Sequence, residues 1–323
     1  MNKLLNFMVL TMLLCQGTMS AQKKLLVLDV DPGTDDGIAL YISRLLPSQP
    51  THLVATFGNQ ALRNTHKNLV LLKKEFGLSG EVVLGAEKPR SGALPSCGSF
   101  HGEDGLAGLQ DSLARAHGIT KKSLSAYMSL DELADEILKS EECVYVAVGP
   151  LTSLAYLLEK YDLGDHIQKV LVMGGGIEKS NHPQGYLAEY NFAGDGESVC
   201  RVFASDLDIT LFPLDITESD AKLDWTMTST IMTSDVPNVV KRLITQNFIS
   251  NTLYTEGCEG GAAVLHDCLP VLSLMDSAAF DYVDLRLKPY PTGRIHEESE
   301  GRLVVHVAKA MRNKDLLLET ILK

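Results

Sequence analysis

Positive charge is scarce in this sequence, tryptophan is nearly absent, and long uncharged apolar runs are missing beyond the N-terminus. Its 29 Lys and Arg stand against 41 Asp and Glu, a formal net charge of −12. That balance excludes a nucleic-acid backbone as partner, since phosphate contacts need clustered Lys and Arg. A membrane-spanning helix takes about 18 or more apolar residues, and no such run follows the N-terminal segment. The mature chain is therefore expected to have no membrane partner. No Asn-x-Ser/Thr acceptor occurs, so glycosylation gives no independent sign of export. Internal repeats, low-complexity tracts and Pro/Gly-rich linkers are missing too. The chain has 323 residues with 45% hydrophobic content, enough for one large α/β core.

The first 21 residues differ from the rest. Lys3 supplies a positive start, Leu4 to Cys15 is a short apolar run broken by Asn6 and Thr11, and small residues follow at Gly17, Thr18, Ser20 and Ala21. This pattern predicts a signal peptide over residues 1–21 and a secreted protein whose single domain covers residues 22–323. Five cysteines would remain: Cys97, Cys143, Cys200, Cys258 and Cys268. An odd number cannot all pair internally, and their spacings match no metal motif. An oxidising compartment permits one or two bridges among them, and a core of this size requires none.

Short Val-, Leu- and Ile-rich runs predict strands at Lys24–Val30, His52–Phe57, Glu81–Leu84, Val144–Val148, Lys169–Met173 and Ile209–Leu214. Helical periodicity fills Ile38–Leu46, Asn64–Phe76, Leu130–Lys139, Thr152–Lys160 and Glu197–Phe203. This alternation predicts a doubly wound, mostly parallel α/β sheet with helices on both faces. Polar or glycine-rich turns follow the predicted strands at Asp29–Asp36, Gly58–Gln60, Gly149–Thr152, Gly174–Gly176 and Pro213–Thr217. Loops at the carboxyl edge of a parallel sheet converge, so these segments are expected to line one pocket.

Four aspartates, Asp29, Asp31, Asp35 and Asp36, crowd the first of those turns. Such carboxylates repel one another and raise one another's pKa. A hard divalent cation relieves the repulsion, and an all-oxygen set suits calcium or magnesium rather than zinc. An EF-hand loop is excluded by the spacing and by the lack of its final bidentate Glu. A haloacid-dehalogenase-type phosphatase also closes its first strand with aspartates, but leaves Asp35 and Asp36 without a task. A plain helix cap needs only one Asp.

The segment Asp29-Val30-Asp31-Pro32-Gly33-Thr34-Asp35-Asp36-Gly37-Ile38-Ala39-Leu40 resembles the DxDPGxDDxxAL signature of the inosine-uridine-preferring nucleoside hydrolases. Six further pieces resemble family segments in the same order. They are Gly58-Asn59-Gln60, His101-Gly102-Glu103-Asp104-Gly105-Leu106, Gly149-Pro150-Leu151-Thr152, Met173-Gly174-Gly175, Ala188-Glu189-Tyr190-Asn191 and His266-Asp267. The resemblance implies a Rossmann-like nucleoside hydrolase fold, a homodimer or homotetramer, and an N-glycosidase that turns a ribonucleoside and water into free base and ribose. It implies one Ca²⁺ held by Asp31, Asp35, Asp36, the main-chain carbonyl of Val148 and Asp267. Asp31 would be the general base for a water activated by the ion, and carboxylates nearby would favour the oxocarbenium-like transition state. Asp35, Asn59, Met173, Asn181, Glu189, Tyr190 and Asn191 would bind the ribose.

His266 is the implied leaving-group acid and base contact, and an unperturbed imidazole pKa would suit proton transfer near neutrality. Two departures stand out. A two-residue insertion lies within His182-Pro183-Gln184-Gly185-Tyr186, between Asn181 and Glu189, and Tyr190 replaces the usual Phe. The single tryptophan, Trp225, rules out a sandwich of two indoles around a purine, which leaves a broad or inosine/uridine-type preference. Tyr254 is a candidate to reach the base from a polar, Gly-rich stretch. Two readings stay open beside the hydrolase: a metal-dependent phosphatase using Asp29 or Asp31 as nucleophile, and a secreted nucleoside-binding protein that has lost turnover.

Overall fold

A computed structural model of the chain describes residues 24–90, 98–181, 188–254, 261–299 and 303–323. The expected signal peptide, Cys97, Cys258 and the insertion after Asn181 lie outside the described residues. Among the described residues a ten-stranded sheet forms the centre, in the order β11-β10-β12-β7-β6-β5-β1-β2-β3-β4. Its strands are β1 (Lys24–Val30), β2 (His52–Ala55), β3 (Glu81–Leu84), β4 (Met128–Ser129), β5 (Glu142–Ala147), β6 (Ile167–Met173), β7 (Ile209–Phe212), β10 (Phe280–Pro289), β11 (Ile295–Glu297) and β12 (Leu303–Met311). A small antiparallel ladder joins β8 (Lys222–Leu223) to β9 (Ala263–Val264).

Strands β1 to β7 and β12 run parallel along this order, and β10 pairs antiparallel with both β12 and β11. Two apolar clusters cover the two faces. Leu28 and Val30 join the cluster with Ile38, Leu40 and Leu243, while Leu25 and Val27 join the one with Tyr145, Leu154 and Phe192. Burial on both faces explains why these strands read as unbroken apolar runs. Among the described residues, no helix is long and apolar enough to cross a membrane.

The chain steps from β1 outward through β2, β3 and β4, then returns to β5 on the other side of β1. Open α/β sheets place their binding crevice outside such a reversal point. Register brings the strand ends level there: Asp29 pairs with Val54 on one side and with Ala147 on the other, and Ala147 pairs with Val172. The turns after β1, β2, β5 and β6 thus open on one rim.

Several boundaries differ from the sequence reading. β2, β5 and β7 stop at Ala55, Ala147 and Phe212, so Phe57 and Val148 belong to the rim turns and Leu214 opens the Leu214–Asp220 helix. The first helix runs Thr34–Ser43, four residues earlier than its apolar periodicity indicates, and is buried along its whole length. The Asn238–Tyr254 helix and strands β10 to β12 were not anticipated. The helix hides Asn247, Ser250 and Asn251 on its buried face, which breaks the apolar stripe. β10 carries exposed Asp281, Asp284, Arg286 and Lys288, as expected of a half-solvated strand near a sheet edge.

Candidate active site

Pro32 and Gly33 end β1 and start the Thr34–Ser43 helix, whose first turn carries Asp35 and Asp36. Asp36 caps that turn from within: Oδ2 accepts from Gly33 N at 2.9 Å and Oδ1 from Asp31 N at 3.1 Å. A helix N-terminus favours negative charge, which partly offsets the crowding. Asp267 arrives from the far end of the chain. It follows β9 and precedes the Cys268–Met275 helix. One carboxylate oxygen each from Asp35, Asp36 and Asp267 lies within 4.8 Å of the others, and all three residues are buried.

Asp31 flanks this trio. Its Oδ2 accepts from Asn59 N at 2.7 Å, and the Asn59 amide reaches Asp31 O at 3.2 Å and Asp36 Oδ2 at 3.1 Å. Asn59, expected at the ribose, thus braces the two acids. Two glycines make room for Asp31. A Cβ at Gly58, which has φ of +156°, would collide with the carboxylate, and one at Gly149 would lie 2.6 Å from Oδ1. Asp29 accepts from Tyr145 OH at 2.7 Å. That bond ties Oδ2 to β5, while Oδ1 is buried with no hydrogen-bond partner among the described residues.

Burial is the main force on these acids. It pushes Asp29 up to about 8, and Asp35 up to about 8 with Asp36 adding repulsion. Asp31 rises through burial and then the Asp36 charge, and Asp267 through burial and then Asp35. Asp36 rises less freely, because the Gly33 and Asp31 N–H groups stabilise its charged form. Asp35 Oδ1 is buried with no hydrogen-bond partner among the described residues. An orphaned carboxylate oxygen in a group of oxygen-only donors fits a hard divalent cation.

Val148 follows β5, and its carbonyl accepts from Asn191 Nδ2 at 2.7 Å. A carbonyl has two lone pairs, so one stays available for a cation. Asn191 Nδ2 also lies 3.5 Å from Met173 O, which gathers the β5 and β6 turns. Glu189 is almost fully used by the backbone: Asn191 N, Phe192 N and Gly175 N donate to it at 2.8, 3.0 and 2.9 Å. It acts as the N-cap of the Tyr190–Gly194 helix. Asn181 is exposed, and its Oδ1 accepts from Tyr190 N at 2.9 Å. Tyr190 is half-buried, with its hydroxyl 3.5 Å from Gly58 O.

His266 is half-buried beside Asp267. Its Nδ1 lies 2.8 Å from Thr217 Oγ1. Burial first, and Lys179 second, push its imidazole down to about 4. That direction favours the neutral ring and departs from the unperturbed value expected from sequence.

His101, left out of the sequence-based set, is a buried part of the rim. Its Nδ1 accepts from Thr34 N at 3.0 Å and lies 3.8 Å from Asp35 Oδ1. A nitrogen that accepts from a backbone N–H carries no proton, so the hydrogen of neutral His101 sits on Nε2. Burial, then nearby His266, pushes this ring down to about 3. Its signal in the sequence was a run of glycines, and Gly102, Gly105 and Gly108 do adopt φ of +85°, +73° and +78° to fold the loop inward. Asn247 was also missed. It donates to Thr34 Oγ1 at 3.3 Å and accepts from Val264 N at 2.8 Å, tying the acid loop to β9. Phe100 stacks edge-on with His101 at 4.9 Å and lies 6.4 Å from exposed Tyr254. Trp225 is exposed and packs on Phe248. Cys143, Cys200 and Cys268 are free thiols.

The model of the family described as inosine-uridine preferring nucleoside hydrolase matches residues 26–317. The non-specific ribonucleoside hydrolase RihC of Klebsiella pneumoniae subsp. pneumoniae is 30% identical over 195 residues, 59% of this chain and 62% of that protein. The chain thus spans about 62% of that curated relative's length. The pyrimidine-specific ribonucleoside hydrolase RihA of Shewanella sp. (strain MR-7) is 30% identical over 265 residues, 80% of each chain. Among solved structures, the plant nucleoside hydrolase PpNRh1 superposes with a TM-score of 0.80 at 22% identity, over 93% of this chain and 99% of that one. A purine-preferring ribonucleoside hydrolase from Gardnerella vaginalis does so with a TM-score of 0.78 at 21% identity, over 93% and 97%. Identities this low establish the shared fold.

Proposed function

The chain belongs to the inosine-uridine preferring nucleoside hydrolase family, and on that premise we propose that it hydrolyses the N-glycosidic bond of ribonucleosides to free base and ribose. The observation that carries this reading is the meeting of Asp35, Asp36 and Asp267 beside Asp31, with one buried carboxylate oxygen left without a donor. We propose that Asp31, Asp35, Asp36, Asp267 and the Val148 carbonyl hold a calcium ion. When bound, calcium supplies Lewis acidity toward water and positive charge for the sugar hydroxyls.

The chain's own residues do the rest. Asp31 is the general base, held by Asn59 and by the space at Gly58 and Gly149, and it takes the proton of the water that attacks C1′. As the C1′–N bond breaks, its electron pair leaves with the base and positive charge grows on the ribose. The surrounding carboxylates favour that charge. Glu189, Asn191, Tyr190 and Met173 line the pocket for the sugar, with Asn181 bracing Tyr190 from the rim. Neutral His266 donates a hydrogen bond to the departing base. Names of the relatives span non-specific, pyrimidine-specific and purine-preferring enzymes. With the only tryptophan on the surface, we propose a broad or inosine/uridine-type preference.

We also propose export through residues 1–21, which N-terminal sequencing of the mature protein checks. Incubating the protein with inosine and uridine, with calcium or with chelator, and assaying reducing sugar tests the activity. Ribose release that depends on the added metal is expected. No release from any ribonucleoside with metal present would overturn the reading.

A further inference from the structure

We infer that Thr217 is a positioning residue that fixes the tautomer of His266, so that the departing base meets an Nε2–H rather than a lone pair. The inference deepens the hydrolase reading above and rests on it.

Thr217 is fully buried in the Leu214–Asp220 helix, and its backbone N–H is already spent on Pro213 O at 3.1 Å. Its hydroxyl lies 2.8 Å from His266 Nδ1, the one hydrogen-bond partner of that hydroxyl among the described residues. A hydroxyl both donates and accepts, while a neutral imidazole carries one hydrogen on one of two nitrogens. If Nδ1 carried it and donated to Thr217, the hydroxyl hydrogen would be buried with no acceptor. Buried donors are rarely left in that state. If Nδ1 is bare, the hydroxyl donates to it, both groups are satisfied, and the hydrogen of the ring stands on Nε2. Only this second arrangement closes the pairing.

The consequence falls on the leaving group. When the C1′–N bond breaks, the electron pair goes to the base, which departs as an anion. Nε2–H donates a hydrogen bond to that anion and keeps its proton, and solvent water supplies the proton that neutralises the released base. The opposite tautomer would present a lone pair to the same anion and repel it. Thr217 touches neither sugar nor base in this scheme and acts through the ring.

Leaving-group dependence separates this role from a structural one. Thr217→Val keeps the shape and removes the hydroxyl. It is expected to lower kcat on inosine by about tenfold or more, to leave kcat on 4-nitrophenyl riboside unchanged, and to be rescued by Thr217→Ser. A nitrophenolate leaves unaided, so damage to the fold or to Asp31 would lower both substrates alike. Equal losses on both, or no loss on inosine, would overturn the inference. A second measurement needs no variant: ¹⁵N shifts of the histidine rings in the wild-type protein should report His266 protonated on Nε2. A His266 protonated on Nδ1 overturns the inference while ribose release by the same sample leaves the hydrolase reading standing. If the wild-type protein releases no ribose, both fall.

Discussion

Asp31 is held from three directions, and each hold has a separate consequence. Asn59 N–H fixes Oδ2, while Gly58 and Gly149 leave the space that the carboxylate fills. Asp31→Ala should lower kcat by at least about a hundredfold, since a general base contributes on that scale or more. Its fold should survive, because one buried repulsive charge has been removed; ribose release and a thermal melt check the two halves. Gly149→Ala tests the space instead. A Cβ 2.6 Å from Asp31 Oδ1 must displace the carboxylate, so kcat should fall while KM changes less. Unchanged kcat in Gly149→Ala would show that the position of Asp31 is not critical. At this scale the sequence was informative about which acids matter and silent about their environment. Nothing in the HD pair foretells that burial lowers the pKa of His266, because shielding depends on packing contributed by distant segments.

The Asn238–Tyr254 helix and the Thr34–Ser43 helix cross where Gly37 faces Leu243, and a Cβ there would sit 2.7 Å from Leu243 Cδ1. That approach lets Asn247 bridge Thr34 and the backbone of β9. Asn247→Leu would leave the buried Val264 N–H without its acceptor, at a cost of about 1–3 kcal/mol, while the Thr34 hydroxyl keeps His101 Nδ1 at 2.9 Å. Denaturant unfolding with metal present should register a loss on that scale; an unchanged midpoint would mean that the brace is dispensable. Elements buried on both faces, such as β1, β2 and β6, were legible because their apolar runs are continuous. The Asn238–Tyr254 helix was not, since its inward face carries Asn and Ser doing polar work. β10 and β12 were not either, since each turns polar residues such as Asp284 and His306 to solvent.

Across the whole molecule the acids couple stability to pH. In metal-free protein Asp29 and Asp35 have folded-state pKa values near 8, against about 3.9 for an unfolded Asp. Between those values the folded state binds protons that the unfolded state has released, so stability falls as pH rises. The stabilisation is complete below about pH 4 and lost through about pH 8. Melting temperature in chelator should therefore drop from pH 5 to pH 8.5, once effects common to unrelated metal-binding variants are subtracted. Saturating calcium should raise it most at the high end, because the ion replaces the missing protons. A chelated sample more stable at pH 8.5 than at pH 5 would contradict this.

Asp267 reaches a trio whose other members were synthesised more than 200 residues earlier. Contacts of such long sequence separation form late, after the loop-closure entropy has been met. During translation the first half of the chain must therefore carry an unfinished nest of acids. Only when the last third docks does a competent receptor for the cation exist. Cation uptake is in that sense a timer for folding: its onset during refolding dates the arrival of the C-terminal third, and a nascent chain stalled before Asp267 should have no high-affinity uptake at all.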